Sequence, residues 1–425
     1  MNAQKEVVLS MIERITILGG NSVYIPEFIF SAIKRNLNVK EVVLYSKPGR
    51  KLDLVSRFCQ RLADRAGFPV KIVPCTDIHE ALSSAKYILN HIRVGGLQAR
   101  MRDEMIPPTY DMIGDETLGA GGFANAMRTL PVVFDYAQIV EEVCPQAVFI
   151  NLSNPMGVVL EGLSRYSKIK ALGVCDLPAV YKKKIAAILL QEPENIRVDY
   201  IGLYHLGWIQ DVKIDNRSRM SQLLEQLETQ TEDEFDYDLI GLFRMIPTRP
   251  TGIYFHRSEI LKRQQSCSHF RSEKLYEAER QILEMYSDNH LNEVPELVRK
   301  RNAVWYEETI IPLIEGLESD RSREMVLCLR NAGSIRDLPE DSSVEVPAAV
   351  SKRGIQPRKV GSLPSFLKGM FISAKESDRL TVEAVKHRSY EYALQALTIN
   401  PFVPSVDTAR RFLERIIKED NLELH

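Results

Sequence analysis

Short β-branched apolar runs alternate with stretches of helical periodicity through the N-terminal part of the chain. Residues 14–18, Arg-Ile-Thr-Ile-Leu, form the first run; Gly19-Gly20 terminate it, and it predicts a buried strand. Residues 26–35 carry apolar positions at helical spacing. Further strands are expected over 39–45, 70–73, 87–92 and 147–152, with helices over 52–66, 78–84 and 132–143. Strands alternating with helices in this way predict an α/β, Rossmann-like, doubly wound parallel sheet. In the later part of the chain the pattern changes. Residues 223–243, 272–285, 303–317 and 382–397 read as helices, and stretches near 335–347 and 352–364, broken by proline and charge, read as loops and short strands. The expectation is a Rossmann-like dinucleotide-binding domain over 1–200. A second, mostly helical α+β domain over 201–425 would serve substrate, metal and oligomerisation.

Composition narrows the function class. With 425 residues the chain is long enough for two packed domains and a large core. Its formal net charge of −2, without a strongly basic stretch, argues against nucleic acid or an anionic membrane as partner. The six cysteines are scattered with no Cys-x-x-Cys pair, which argues against a disulfide framework or a structural zinc cluster. Neither a signal-peptide pattern nor an apolar run of membrane-spanning length is present, so a cytoplasmic protein is expected.

The first strand, Gly19-Gly20-Asn21-Ser22 and the helix that follows Tyr24 have the order of a phosphate cradle. Glycine lets backbone approach a pyrophosphate, and a helix N-terminus offers N–H groups. The spacing is not the full Gly-x-Gly-x-x-Gly, and a ligand-free strand–helix turn has the same appearance. Where an acid usually meets the adenosine ribose, at the end of the second strand, stands Ser46, with Lys47, Arg50 and Lys51 close behind. A neutral residue beside cations suits NADP as an alternative to NAD; a solvated basic loop reads the same way.

A second group of motifs carries chemistry. Arg93-Val94-Gly95-Gly96, Arg100, Gly114-Asp115-Glu116-Thr117 and Gly119-Ala120-Gly121-Gly122 follow a strand end, where open α/β sheets bind ligands. Arginines there suit anions. Ser153-Asn154-Pro155, Gly173-Val174-Cys175-Asp176-Leu177-Pro178 and Gly202-Leu203-Tyr204-His205 come next. A thiolate and an imidazole suit a borderline divalent metal. On residue types alone, a buried thiol and a core histidine are the commoner reading.

Together these segments resemble glycoside hydrolase family 4, the NAD- and divalent-metal-dependent glycosidases. The resemblance runs through residues 19–27, 93–128, 151–157, 173–178, 202–208, 331–347 and 400–405. Length and C-terminal half look most like the 6-phospho-β-glucosidases, whereas Cys-Asp-Leu-Pro is similar to the Cys-Asp-Met-Pro of the α-type enzymes. The resemblance implies an anionic sugar substrate, NAD, a metal such as Mn²⁺ and a homodimer or homotetramer. It also implies a route outside the two-carboxylate scheme. NAD takes hydride from sugar C3, a tyrosine removes the acidified C2 proton, a metal stabilises the enediolate, and the C1 group is eliminated before water adds and hydride returns.

Carried over by motif, Cys175 and His205 are the metal ligands and Asp176 is the proton donor. Arg100, Asn154 and Arg271 contact substrate, and Glu116 is an acid near the base. Asp115 replaces the family's glutamine and Tyr204 its asparagine. The ungapped position of the catalytic tyrosine is Pro250, which leaves Tyr254 as the nearest base and Tyr204 as the next. Two functions follow: a glycosidase of anionic sugars, of β- or α-type, or a nucleotide-binding relative that has lost hydrolysis.

Overall fold

The computed structural model describes residues 10–229, 234–299 and 305–425. Its strands are β1 (Ile12–Leu18), β2 (Val39–Tyr45), β3 (Lys71–Cys75), β4 (Tyr87–Asn90), β5 (Val148–Asn151), β6 (Lys170–Gly173), β7 (Ile196–Leu203), β8 (Leu206–Ile214), β9 (Arg217–Ser218), β10 (Ile246–Pro247), β11 (Arg323–Arg330), β12 (Ser343–Ser351) and β13 (Gly354–Pro357). The first six pair in parallel in the order β3-β2-β1-β4-β5-β6, the strand order of a Rossmann sheet. Both faces are covered. Ile15, Ile17, Val42 and Leu44 pack with Phe28 and Phe58, while Ile88 and Phe149 pack with Val133 and Val159. Strands buried on both sides read as unbroken apolar runs, which is why they stand out in the sequence.

The later half extends the same sheet with more strand than expected. β11 lies antiparallel to β6, β12 to β11, β7 to β12, and β8 and β10 follow. The stretches read as loops and short strands, near 335–347 and 352–364, contain the first part of β12 and all of β13, and β12 runs on to Ser351. Val344, Val346, Ala348 and Val350 along β12 are fully buried, so long-range pairing carries the strand past the local proline.

Several helix boundaries also differ. The helix expected over 132–143 begins at Gly119 and runs through Pro131 to Val143, because burial of Ala120, Phe123, Ala124 and Met127 outweighs the low propensity of its glycines. The stretch 223–243 is two helices, Met220–Leu227 and Tyr237–Phe243; Asp236 caps the second by accepting from Leu239 N at 3.1 Å, and residues 230–233 lie outside the described residues. Likewise 382–397 breaks at Arg388 (φ +50°). Ser389 accepts from Tyr392 N at 3.2 Å to start the helix Tyr390–Ile399. For 303–317, residues 303 and 304 lie outside the described residues, and a π-turn at Tyr306–Ile310 leads into the helix Ile311–Glu318. The helix over 272–285 is present as Arg271–Tyr286. Helices Gly96–Met105, Met156–Tyr166, Leu177–Ile188, Ser365–His387 up to residue 381, and Val406–Asp420 had no counterpart among the expected elements. Among the described residues no helix is long and apolar enough to cross a membrane.

Candidate active site

The chain runs outward from β1 to β3 and returns to β4 on the other side of β1, so the sheet's switch point lies between β1 and β4. A crevice at such a point, at the carboxyl ends of the strands, is where open α/β sheets take nucleotides. Gly19 stands there at φ +85°, and a Cβ on it would come within 2.4 Å of the His91 carbonyl oxygen. A Cβ on Gly20 would lie 2.6 Å from Leu44 Cα. Both amides donate to Tyr45 O, at 3.0 and 2.8 Å. The two glycines therefore pack the strand ends tightly, and their own N–H groups are spent on β2. Ser22 N donates to Gly19 O and Ile25 N to Ser22 O, both at 3.1 Å, so the turn closes on itself before the helix Ile25–Lys34, with Asn21 and Ser22 half-buried and Tyr24 buried at the helix N-cap. Ser46 is buried at the end of β2, and Arg50 is exposed at the start of the helix Arg50–Arg65 with its guanidinium 3.4 Å from Ser287 Oγ. Lys51 is engaged by Glu279.

Beyond the crevice lies a buried ionic cluster. Arg100 donates through Nε to Glu104 at 2.7 Å and meets Glu116 at 2.8 Å through Nη1. Glu116 is also held by Arg93, and Glu104 accepts from the backbone N–H of Ser272 at 2.9 Å, tying the start of the helix Arg271–Tyr286 to Arg100. Burial opposes the Arg100 charge, but Glu116 and Glu104 outweigh it and hold its pKa above the ordinary value. Asp115 accepts from Thr117 N and Leu118 N, both at 2.8 Å, and so shapes the turn that presents Glu116.

The thiol, acid and imidazole come from two further strand ends. Cys175 follows β6, and Asp176 is the N-cap residue of the helix Leu177–Ile188. Tyr204 and His205 are the two-residue tip of the β7–β8 hairpin, where Leu203 pairs with Leu206. His205 has φ +65°, a conformation that costs a non-glycine residue energy and clusters at functional sites. Its ring stacks on Tyr204 with centroids 4.2 Å apart. Tyr204 Oη donates to Asn154 Oδ1 at 2.8 Å, and Asn125 holds the Asn154 carbonyl at 3.1 Å.

These groups share one electrostatic environment. Burial pulls His205 down to about 4 against the opposing pull of Asp176 and Glu116, with Arg271 adding to the lowering. Burial, Glu345 and Asp176 push the Cys175 thiol well up. Burial, Cys175 and Asp176 do the same to Tyr204. Thus Cys175, Asp176, His205, Glu116, Arg100, Asn154 and the exposed Arg271 are gathered around one site.

Glu345 on β12 escaped the sequence reading. It is buried, accepts from Tyr200 Oη at 2.6 Å, and is pushed up to about 7 by burial. Among the described residues its Oε1 has no hydrogen-bond partner. A lone acid inside Val344-Glu345-Val346 was the available signal.

The donor set fits a divalent cation. A neutral imidazole is a competent ligand, a nearby cation lowers a thiol's pKa, and the buried carboxyls beside Cys175 leave negative charge to balance. Among the described residues, no group of three or more His, Cys, Asp and Glu side chains could hold a metal ion.

The segment expected to carry the base packs on this hairpin. β10 pairs with β8 at Trp208 and Ile209, Gly207 N donates to Thr251 Oγ1 at 3.0 Å, and Thr251 Oγ1 lies 3.4 Å from His205 O. Pro250 sits in a single 3₁₀ turn, Arg249–Thr251. Tyr254 is half-buried one turn on, edge-on to Phe255 and Phe402, with the Arg257 guanidinium 5.3 Å from its ring centroid. Phe402 lines a pocket that Tyr204 and Thr117 also line.

A Rossmann sheet, a glycine-tight turn at its switch point, and a buried thiol, a half-buried acid and a half-buried imidazole at the end of β6 and the tip of the β7–β8 hairpin define a dinucleotide-type enzyme with acid–base chemistry. The family model described as family 4 glycosyl hydrolase matches residues 14–191, and that of the family's C-terminal domain matches residues 200–403. The chain belongs to glycosyl hydrolase family 4, as its motifs implied. It is 33% identical over 422 residues to a probable 6-phospho-beta-glucosidase of Bacillus subtilis, covering 95% of this chain and 96% of the relative. The 6-phospho-beta glucosidase of Thermotoga maritima, solved with manganese, NAD⁺ and glucose-6-phosphate, superposes with a TM-score of 0.90 at 30% identity, over 97% of this chain and 100% of that one. A 6-phospho-alpha-glucosidase from gut microorganisms, solved with NAD and glucose-6-phosphate, gives 0.87 at 26% identity, over 98% and 99% of the two chains.

Proposed function

We propose that this chain cleaves 6-phosphoglycosides, with β-linked substrates preferred, using NAD and a divalent metal, Mn²⁺. The observation that carries the reading is that Asp176 acts on both the Cys175 thiol and the His205 imidazole, with Glu116 and Arg271 acting on the same imidazole. The higher identity to a β-type relative supports the β preference, whereas Asp176 after the cysteine is the feature shared with α-type enzymes.

Bound NAD would supply a hydride acceptor for sugar C3, and a metal held by Cys175 and His205 would supply positive charge at the sugar oxygens. The chain's own residues do the rest. Asn21, Ser22 and the helix after Tyr24 seat the dinucleotide, with Ser46 and Arg50 at the adenosine end. Arg271, exposed at a helix N-terminus, attracts the sugar phosphate. Arg100 braces Glu116 and Glu104 at the substrate wall, and Asn154 contacts a sugar oxygen. Asp176 holds the proton that the leaving oxygen takes, and Tyr254, on the segment bound to the His205 hairpin, accepts the C2 proton. In this reading the chain divides near residue 200, works as a homodimer or homotetramer, and resides in the cytoplasm. Cysteines left unpaired, five of the six buried, suit a reducing compartment.

Pro250 at the family's tyrosine position favours a second reading, a nucleotide- and sugar-phosphate-binding protein without hydrolysis. One experiment separates them. The protein is incubated with NAD⁺, NADP⁺, Mn²⁺ and a reductant against a panel of α- and β-linked glycosides, phosphorylated and plain. Release of the aglycone and exchange of C2 hydrogen with solvent deuterium are followed. Hydrolysis of β-linked 6-phosphoglycosides supports the first reading; cofactor and metal binding with no C2 exchange on any sugar establishes the second.

A further inference from the structure

Tyr204 stands where the family has asparagine, and its surroundings give it a definite task. Its hydroxyl donates to Asn154 Oδ1 at 2.8 Å, and its ring lies on the His205 imidazole at 22°. The position is rigid. Tyr204 is buried at the tip of a two-residue hairpin, and a Cβ on Gly157 would sit 3.7 Å from its own Cβ. Asn154 is pinned on its other side by Asn125, whose Nδ2 also binds the Glu116 carbonyl. An asparagine amide has one acceptor end and one donor end, and rotation by half a turn exchanges them. A phenol hydroxyl can meet either end, and here Tyr204 Oη donates to Oδ1, the orientation that leaves the donor end over. Among the described residues no protein group takes the Nδ2 hydrogens of the half-buried Asn154.

We propose that Tyr204 is a positioning residue: it locks the Asn154 amide so that both Nδ2 hydrogens face the bound sugar phosphate, making Asn154 a dedicated donor to a sugar oxygen. The orientation matters to the chemistry. A sugar hydroxyl can donate or accept, but once its carbon is oxidised the oxygen can only accept. A fixed N–H donor then gains as the oxygen gains negative character, whereas a flipped amide would present oxygen to oxygen. This inference rests on the sugar-phosphate reading above and assigns no proton transfer to Tyr204.

The test is a double-mutant cycle with Y204F, N154A and the pair. Phenylalanine keeps the ring on His205 and removes only the hydroxyl. Affinity for glucose 6-phosphate is measured by calorimetry with NAD⁺ and Mn²⁺ present, beside kcat/KM on the best glycoside of the panel and the thermal midpoint of each variant. Y204F is expected to weaken binding about fivefold and N154A about tenfold, with the double variant no weaker than N154A alone. Losses that multiply would overturn the inference while leaving the proposed activity standing, as would a Y204F protein that binds like wild type. If wild type binds glucose 6-phosphate but hydrolyses nothing, the hydrolytic reading fails and the cycle in affinity still decides the role of Tyr204. If wild type binds no glucose 6-phosphate, both are refuted.

Discussion

Arg100 Nη1 and Glu116 Oε1 lie 2.8 Å apart with both side chains almost wholly buried, and each has a second ionic partner, Glu104 and Arg93 respectively. Removing one member strands the others, because a buried charge without a partner keeps its desolvation cost and loses the attraction that offset it. R100A is therefore expected to cost about 3–5 kcal/mol of stability. The replacement R100K, which cannot fork to two carboxylates, should recover only part of it. Chemical denaturation of the three proteins measures this directly; an R100A midpoint equal to wild type would mean the cluster is solvated.

The proposed cation site rests on Cys175 and His205. C175S preserves size and removes the thiolate, so it is expected to weaken Mn²⁺ binding at least tenfold, and H205N to do likewise, with folding retained. Mn²⁺ titration followed by electron paramagnetic resonance reads the affinity without any substrate. Unaltered binding in both variants would place the metal elsewhere.

The proposed mechanism gives the role of base to Tyr254. Y254F keeps the ring against Phe402 and Phe255, so it should fold and bind sugar phosphate normally while C2 exchange falls by about 10²–10⁴. C2 exchange at the wild-type rate would remove Tyr254 from the mechanism.

The adenosine end lacks an acid. Ser46, where an acid usually stands, is small, neutral and buried at the end of β2. Calorimetric Kd values for NAD⁺ and NADP⁺ are expected to lie within about tenfold of each other, or 1.4 kcal/mol. A hundredfold preference for NAD⁺ would count against Arg50 and Lys47 as phosphate partners.

Asp199 on β7 links β8 to the turn after β13, through Lys213 and through Arg358 at 2.7 Å. Burial alone would raise its carboxyl, but Lys213 and Arg358 hold it below the usual range. A depressed acid contributes stability above its unfolded pKa of about 3.9 and loses it as pH falls through the folded value. D199N should thus be about 1–2 kcal/mol less stable than wild type at pH 7, and the difference should shrink below about pH 4. Urea denaturation at the two pH values tests the sign; a gap that widens in acid contradicts it.

Much of this molecule is written locally. Ile15, Ile17 and Leu18, and Val42, Val43 and Leu44, are apolar because both faces of their strands are covered, and that burial leaves its mark on neighbouring positions. The Gly19-Gly20 turn, Cys175-Asp176 and His205 are legible because strand ends carry ligand chemistry in such sheets and the motifs lie at those ends. Whatever depended on distant partners was not legible. The antiparallel extension through β11, β12 and β7 needs residues far apart in sequence to pair, and no periodicity within β12 announces its neighbours. The helix from Gly119 exists because its glycine-rich start is buried. Glu345 became a site neighbour only when β12 was laid between β7 and β11, and Tyr204 met Asn154 only when the hairpin folded over the end of β5. The sequence alone determined the Rossmann half, the family and the residue types at the site. The tertiary structure decided which of those residues share a field and a hydrogen bond, because burial and Coulomb interaction depend on separation in space.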